Sequence, residues 1–139
     1  MNRFVLDASV ALAWVVDHNP DPYAAGVRQR ASSGDRAVVP AFWQLEISNV
    51  LAVVHRRGLL NALETDEGLK YYEAFLARHT DVVTGLPSMR ELLRRALELG
   101  LTSYDAMYID LALTENLPLA TLDKGLRAAA VKAGVALLK

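Results

Sequence analysis

Arg3-Phe4-Val5-Leu6-Asp7-Ala8-Ser9 is the stretch on which the fold turns. Phe4, Val5 and Leu6 form a short apolar run with aromatic and β-branched character, which reads as a strand buried on both faces. Asp7 follows where such a strand ends. A carboxylate there lies outside the core, at the carboxyl edge of a parallel sheet, where open α/β folds bind their ligands.

Working outward, residues 10–16 are apolar with helical spacing, and Asp7 or Ser9 is a candidate cap. Asp17-His18-Asn19-Pro20-Asp21-Pro22 breaks that helix, because proline cannot continue its hydrogen-bond ladder. A second helix spans 23–32, and Ala37-Val38-Val39 is a buried strand ended by Pro40. A long helix over 41–57 stops at Gly58, and another runs over 63–79. Val82-Val83 is a third strand, and Ser88-Met89-Arg90-Glu91 has the form of a capping box that opens a helix to Leu99. Thr102 or Ser103 caps the next helix, which ends near Asn116. Pro118-Leu119-Ala120-Thr121 is a fourth strand, a helix covers 124–133, and 135–138 is a fifth strand. Strands alternating with helices predict an α/β fold, a single domain over 1–139 with a mainly parallel five-stranded sheet flanked by helices.

The totals narrow the chemistry. The 139 residues are 53% hydrophobic and 22% charged, with a net charge of -1, so a core is affordable and no global basic field exists to hold nucleic acid. There is no cysteine, which removes disulfides, thiolate zinc sites and cysteine nucleophiles. No signal-peptide run and no long apolar span is present, which predicts a cytoplasmic protein without a membrane partner.

The informative residues are acids. Asp7, Asp105 and Asp123 each sit at or near a predicted helix start, so each has a capping explanation as well as a functional one. Glu46 does not. It is the only charged residue in 41–54 and shares an inward stripe with Phe42, Asn49, Val50 and Val53. An ionised Glu in an apolar stripe is costly unless it is paired or holds a metal. A distant Arg remains an alternative partner. Asp105 continues inward with Tyr108, Ile109 and Ala112, whereas Asp110 reads as solvated or ion-paired. Hard oxygen donors without cysteine suit Mg²⁺ or Mn²⁺. His18, His55 and His79 show no ligand spacing. Ser9 and Thr121, near the strand ends, can orient a carboxylate or else serve as turn residues.

Val5-Leu6-Asp7-Ala8-Ser9, Glu46-Ile47-Ser48-Asn49, Ser103-Tyr104-Asp105-Ala106-Met107-Tyr108 and Leu119-Ala120-Thr121-Leu122-Asp123, taken in this order over the whole chain, resemble a PIN-domain ribonuclease, and within that family a VapC-type toxin of a toxin–antitoxin pair. The resemblance implies a metal-dependent endoribonuclease. It maps the catalytic, metal-holding acids onto Asp7, Glu46, Asp105 and Asp123, and supporting roles onto Ser9, Asn49 and Thr121. It also implies a homodimer and a cognate antitoxin that blocks the acidic cleft. Asp110 departs from the pattern, since relatives more often carry an apolar residue there. Mg²⁺ or Mn²⁺ would lower the pKa of a water and neutralise the scissile phosphate of the RNA.

Lys124 and Arg127 follow Asp123 closely and are the candidates for bordering an RNA cleft. Trp14, Trp43, Tyr71, Tyr72 and Phe75 stand mostly at core-like spacing, although Tyr71, Tyr72 and Phe75 also suit a surface for a second copy. Other readings are an RNA-processing PIN nuclease outside any toxin–antitoxin pair, a non-catalytic module that binds RNA or protein, and a receiver-like domain. The last wants adjacent acids after the first strand, where Ala8 and Ser9 stand instead.

Overall fold

Strand β1 (Arg3–Leu6) lies inside a parallel sheet in a computed structural model that describes residues 2–139. Phe4, Val5 and Leu6 are all buried, as a strand covered on both faces requires. Around it the chain runs α1 (Ala8–Val16), α2 (Pro22–Ser32), β2 (Arg36–Pro40), α3 (Trp43–Arg56), α4 (Ala62–His79), β3 (Thr80–Val83), α5 (Met89–Leu99), α6 (Ser103–Glu115), β4 (Leu119–Ala120) and α7 (Lys124–Ala133). The sheet order is β3-β2-β1-β4. The register pairs Val5 with Val38 on one side and with Leu119 on the other.

The helices form two packed groups. Helix α1 lies against α2 and α3, and α3 against α4. Helix α6 lies on β1, β2 and β4 and carries α5 and α7. Among the described residues no helix is long and apolar enough to cross a membrane.

The sheet has four strands rather than five. The expected strand at 135–138 is reduced to a single bridge between Leu119 and Leu137. Its apolar composition is right, but its partner is too short. Strand β4 holds only Leu119 and Ala120, Pro118 has no N–H to offer, and beyond Thr121 the chain turns into α7. Leu119 therefore exchanges one pair of bonds, with Ala136 and Leu138, both 2.9 Å, and no ladder develops.

Three local expectations also need correction. Helix α3 starts at Trp43 rather than residue 41, and Trp43, Ile47, Leu51 and Val54 face the core while Asn49, expected on the inward stripe, is exposed. Ser88 caps α5 through the Glu91 N–H at 3.2 Å, but Glu91 turns its carboxylate to Arg94, so the reciprocal bond of a capping box is not made. Tyr72 and Phe75 are core residues and Tyr71 is half-buried beneath Arg28, so they form no free face for a second copy.

Candidate active site

Asp7 ends β1, its N–H bonded to the Ala120 carbonyl at 3.0 Å, and it is 5% exposed. It occupies the N-cap position of α1 but makes no side-chain capping bond. Its Oδ2 instead accepts two hydroxyl protons, from Ser9 and from Thr121, each at 2.7 Å. Each of those hydroxyls also accepts a backbone N–H, Ser9 from Leu122 and Thr121 from Asp123, both 3.0 Å. A hydroxyl has one proton to give. The backbone bonds fill the acceptor side of both oxygens, so both protons point at Asp7, and the 3.4 Å approach of Ser9 to Thr121 carries neither. Both side-chain donors thus converge on Oδ2, and among the described residues no side chain donates to Oδ1.

Glu46 projects from the first turn of α3 and is half-buried. Its partner is not an arginine. The Tyr108 hydroxyl donates to Oε1 at 2.5 Å, from a ring that is completely buried in α6. Asp105, also on α6, is half-buried, and the Thr102 side chain caps its N–H at 3.1 Å. Asp123, just past β4, does act as a cap: its Oδ1 accepts the Leu126 N–H at 2.8 Å. The capping reading therefore holds for Asp123 in part, leaving its second oxygen, and fails for Asp7.

Three of the acids carry raised carboxyls, each in part through the charge of a neighbouring acid. Burial pushes the Asp7 carboxyl up, against the pull of the Ser9 and Thr121 hydroxyls, and the charge of Asp123 adds to the rise. Burial also raises Glu46, opposed by the Tyr108 hydroxyl and reinforced by the charges of Asp7 and Asp105. Asp105 is raised by burial and then by Asp7 and Asp123. Tyr108 is held strongly protonated by burial and by the charge of Glu46, so it keeps the proton that it donates to the Glu46 carboxylate.

A cluster of oxygen-only donors whose charges repel is the chemistry that a hard divalent cation relieves. As they stand, no three of these side chains among the described residues enclose a metal ion. The donor types and mutual repulsion fit Mg²⁺ or Mn²⁺.

The other expected residues fall as follows. Asn49 is exposed one turn beyond Glu46, and both line a cavity with Asp105. Lys124 is exposed beside Asp123. Arg127 is turned into the fold: its Nη1 donates to the Thr121 carbonyl at 2.7 Å and its guanidinium lies 5.2 Å from the Tyr23 ring centre. Asp110 pairs with Arg95 at 3.6 Å. Tyr108 is the functional residue that sequence reasoning missed. Its signal was present: it lies on the inward stripe of Asp105, and a buried tyrosine hydroxyl must find a partner.

A doubly covered parallel sheet with carboxylates at its carboxyl edge places the chain among the α/β domains that bind their ligands at that edge. The chain belongs to the PIN domain family, whose model matches residues 4–132. PIN domains are generally nucleases. Among solved structures, PAE2754 from Pyrobaculum aerophilum is similar, with 27% identity, a TM-score of 0.69, and coverage of 92% of this chain and 79% of that one. FitAcB from Neisseria gonorrhoeae shares the fold at 18% identity and TM-score 0.68, covering 98% and 96% of the two chains. So does VapBC2 from Rickettsia felis, solved bound to a DNA fragment from its promoter, at 14% identity and TM-score 0.63, covering 98% and 97%. No curated protein matches the chain.

Proposed function

We propose that this protein is a divalent-metal-dependent endoribonuclease and the toxin of a type II toxin–antitoxin pair. The observation that carries the nuclease reading is the Asp7 carboxylate, buried at the sheet edge with both hydroxyl donors on one oxygen and the other free of side-chain donors. A mere cap would bond the helix N–H groups, and Asp7 bonds none of them through its side chain.

Asp7, Glu46, Asp105 and Asp123 would hold Mg²⁺ or Mn²⁺. When bound, the metal would offset the charge of the scissile phosphate and make a water acidic enough to attack it. The residues themselves supply position. Ser9 and Thr121 fix the rotation of Asp7, Tyr108 fixes Glu46, and the Leu126 N–H fixes one oxygen of Asp123. Attack on phosphorus by water, with departure of the 3′ oxygen, leaves a 5′-phosphate and a 3′-hydroxyl. Lys124 borders the site as a contact for the RNA backbone.

The partner reading draws on the toxin–antitoxin complexes among the fold's neighbours. An apolar groove of about 520 Å³ between α3 and α4, lined by Leu45, Ile47, Leu51, Leu69 and Leu76, suits an antitoxin segment. A stripe of exposed Met89, Leu93 and Leu97 along α5 suits a homodimer.

The test is incubation of an RNA pool with purified protein in Mg²⁺, Mn²⁺ or EDTA, beside Asp7→Asn. Discrete fragments that require metal and vanish in the variant support the reading. Cleavage that survives EDTA, or survives Asp7→Asn, sinks it.

A further inference from the structure

A second cavity of about 520 Å³ opens between α3 and the start of α6, lined by Leu45, Glu46, Asn49, Thr102, Tyr104 and Asp105. It shares Glu46 and Asp105 with the acid cluster, and its other walls are apolar or neutral. Tyr104 is 62% exposed although it adjoins Asp105. The ring is not loose. Phe42 meets it edge-on, with centroids 5.6 Å apart at 81°, and meets the buried Tyr108 in the same way at 5.7 Å and 77°. Tyr108 in turn is bonded to Glu46. The exposed ring is therefore braced, through Phe42 and Tyr108, against the residue that faces the reaction.

We propose that this cavity is a base-binding subsite for single-stranded RNA, in which Tyr104 stacks on the nucleobase next to the scissile phosphate and Asn49 hydrogen-bonds its edge. With Glu46 and Asp105 turned to the metal, the remaining walls offer an aromatic face, an amide, a hydroxyl and Leu45 but no Lys or Arg, a set that suits a neutral base rather than a phosphate. The volume suits a nucleoside. Aromatic faces stack on any base, and unpaired bases are what proteins read most readily in RNA. The Asn49 amide is exposed and takes part in no hydrogen bond among the described residues, so both its donor and its acceptor are free for a base edge. The five aromatics singled out from the sequence do not serve this purpose, because four are buried and Tyr71 lies under Arg28. This inference rests on the RNA nuclease reading and adds to it a place for the base.

The test uses fluorescence anisotropy of a labelled single-stranded RNA octamer of mixed sequence with Mn²⁺, with all four acids in place and phosphorothioate linkages in the probe to slow its cleavage. A second probe of the same length carries abasic ribose phosphates. Tyr104→Ala should weaken octamer binding about tenfold, a single stacked base's contribution, while Tyr104→Phe stays within about twofold of the parent. On the abasic probe all three should bind alike. The rise in melting temperature with Mn²⁺ should be the same for all three, since Tyr104 is no ligand, while the melting temperature itself should fall by only a few degrees in Tyr104→Ala through loss of the Phe42 contact. Octamer binding by Tyr104→Ala equal to the parent's overturns the subsite but leaves the nuclease reading standing. An equal loss on both probes overturns it too, because the ring would then act without a base. Failure of the parent to bind any RNA, with the Mn²⁺ response intact, overturns the RNA reading and the subsite together.

Discussion

Replacing Thr121 with Val tests the hydroxyl clamp on Asp7. The side chain is completely buried, and Val matches its shape, so no cavity term enters. Two bonds are lost. The first is the 2.7 Å donation to Asp7, which is almost wholly buried, so solvent cannot replace it. A bond to a charged acceptor contributes about 1.5–3 kcal/mol. The second is the acceptor for the Asp123 N–H at 3.0 Å, a part-buried group that water reaches more easily, and its loss costs about 1 kcal/mol. The sum is about 2.5–4 kcal/mol, and at about 3 °C per kcal/mol for a domain of this size the melting temperature should fall by about 8–12 °C. The assay is thermal unfolding of metal-free protein followed by circular dichroism. Thr121→Ser, which keeps the hydroxyl, should recover most of the loss. Thr121→Val melting within about 2 °C of the parent, or Thr121→Ser doing no better than Val, would refute the reasoning.

Other outcomes follow from the same geometry. Tyr108→Phe removes the Tyr108 donor to Glu46, the only side-chain donor to it among the described residues, and should cost about 1–2 kcal/mol and shrink the Mn²⁺-induced rise in melting temperature; an undiminished rise would count against Glu46 in the metal site. Asp7, Glu46 and Asp105 have raised folded values, so the folded state binds more protons than the unfolded one, and this stabilisation is lost as pH climbs from about 4 through those values. Metal-free Asp7→Asn should therefore lose less stability than the parent between pH 5 and pH 7.5, measured by urea midpoint, and a larger loss would reverse the sign. Asp81, held low by Arg36 and Arg3, acts oppositely and only in acid. Lys124→Ala should weaken RNA binding and leave the melting temperature unchanged, whereas Arg127→Met, which loses its bond to the Thr121 carbonyl and its place over Tyr23, should lower the melting temperature; a stable Arg127→Met with impaired RNA binding would return Arg127 to the cleft.

Much of this was legible because short buried strands announce themselves. The run from Phe4 to Leu6 required burial, and burial left Asp7 at the edge. Glu46 stood out because nothing charged surrounds it. What stayed hidden depended on tertiary partners. A capping Asp and a clamped Asp look alike until Thr121, more than a hundred residues away, is brought alongside. Tyr108 read as core because its ring is core and only its hydroxyl reaches Glu46. Asn49 read as part of the inward stripe of Glu46, yet it is exposed and lines a cavity with Leu45. Residues 135–138 read as a strand on composition, while the length of the neighbouring strand decided otherwise.

The most direct measurement of the central claim is the chemistry of the ends formed when a 5′-labelled RNA is cut in Mg²⁺. Hydrolysis at a carboxylate-held metal predicts 3′-hydroxyl and 5′-phosphate ends, with none formed in EDTA or by Asp7→Asn. A 2′,3′-cyclic phosphate, which requires attack by the RNA's own 2′-hydroxyl, would contradict the account.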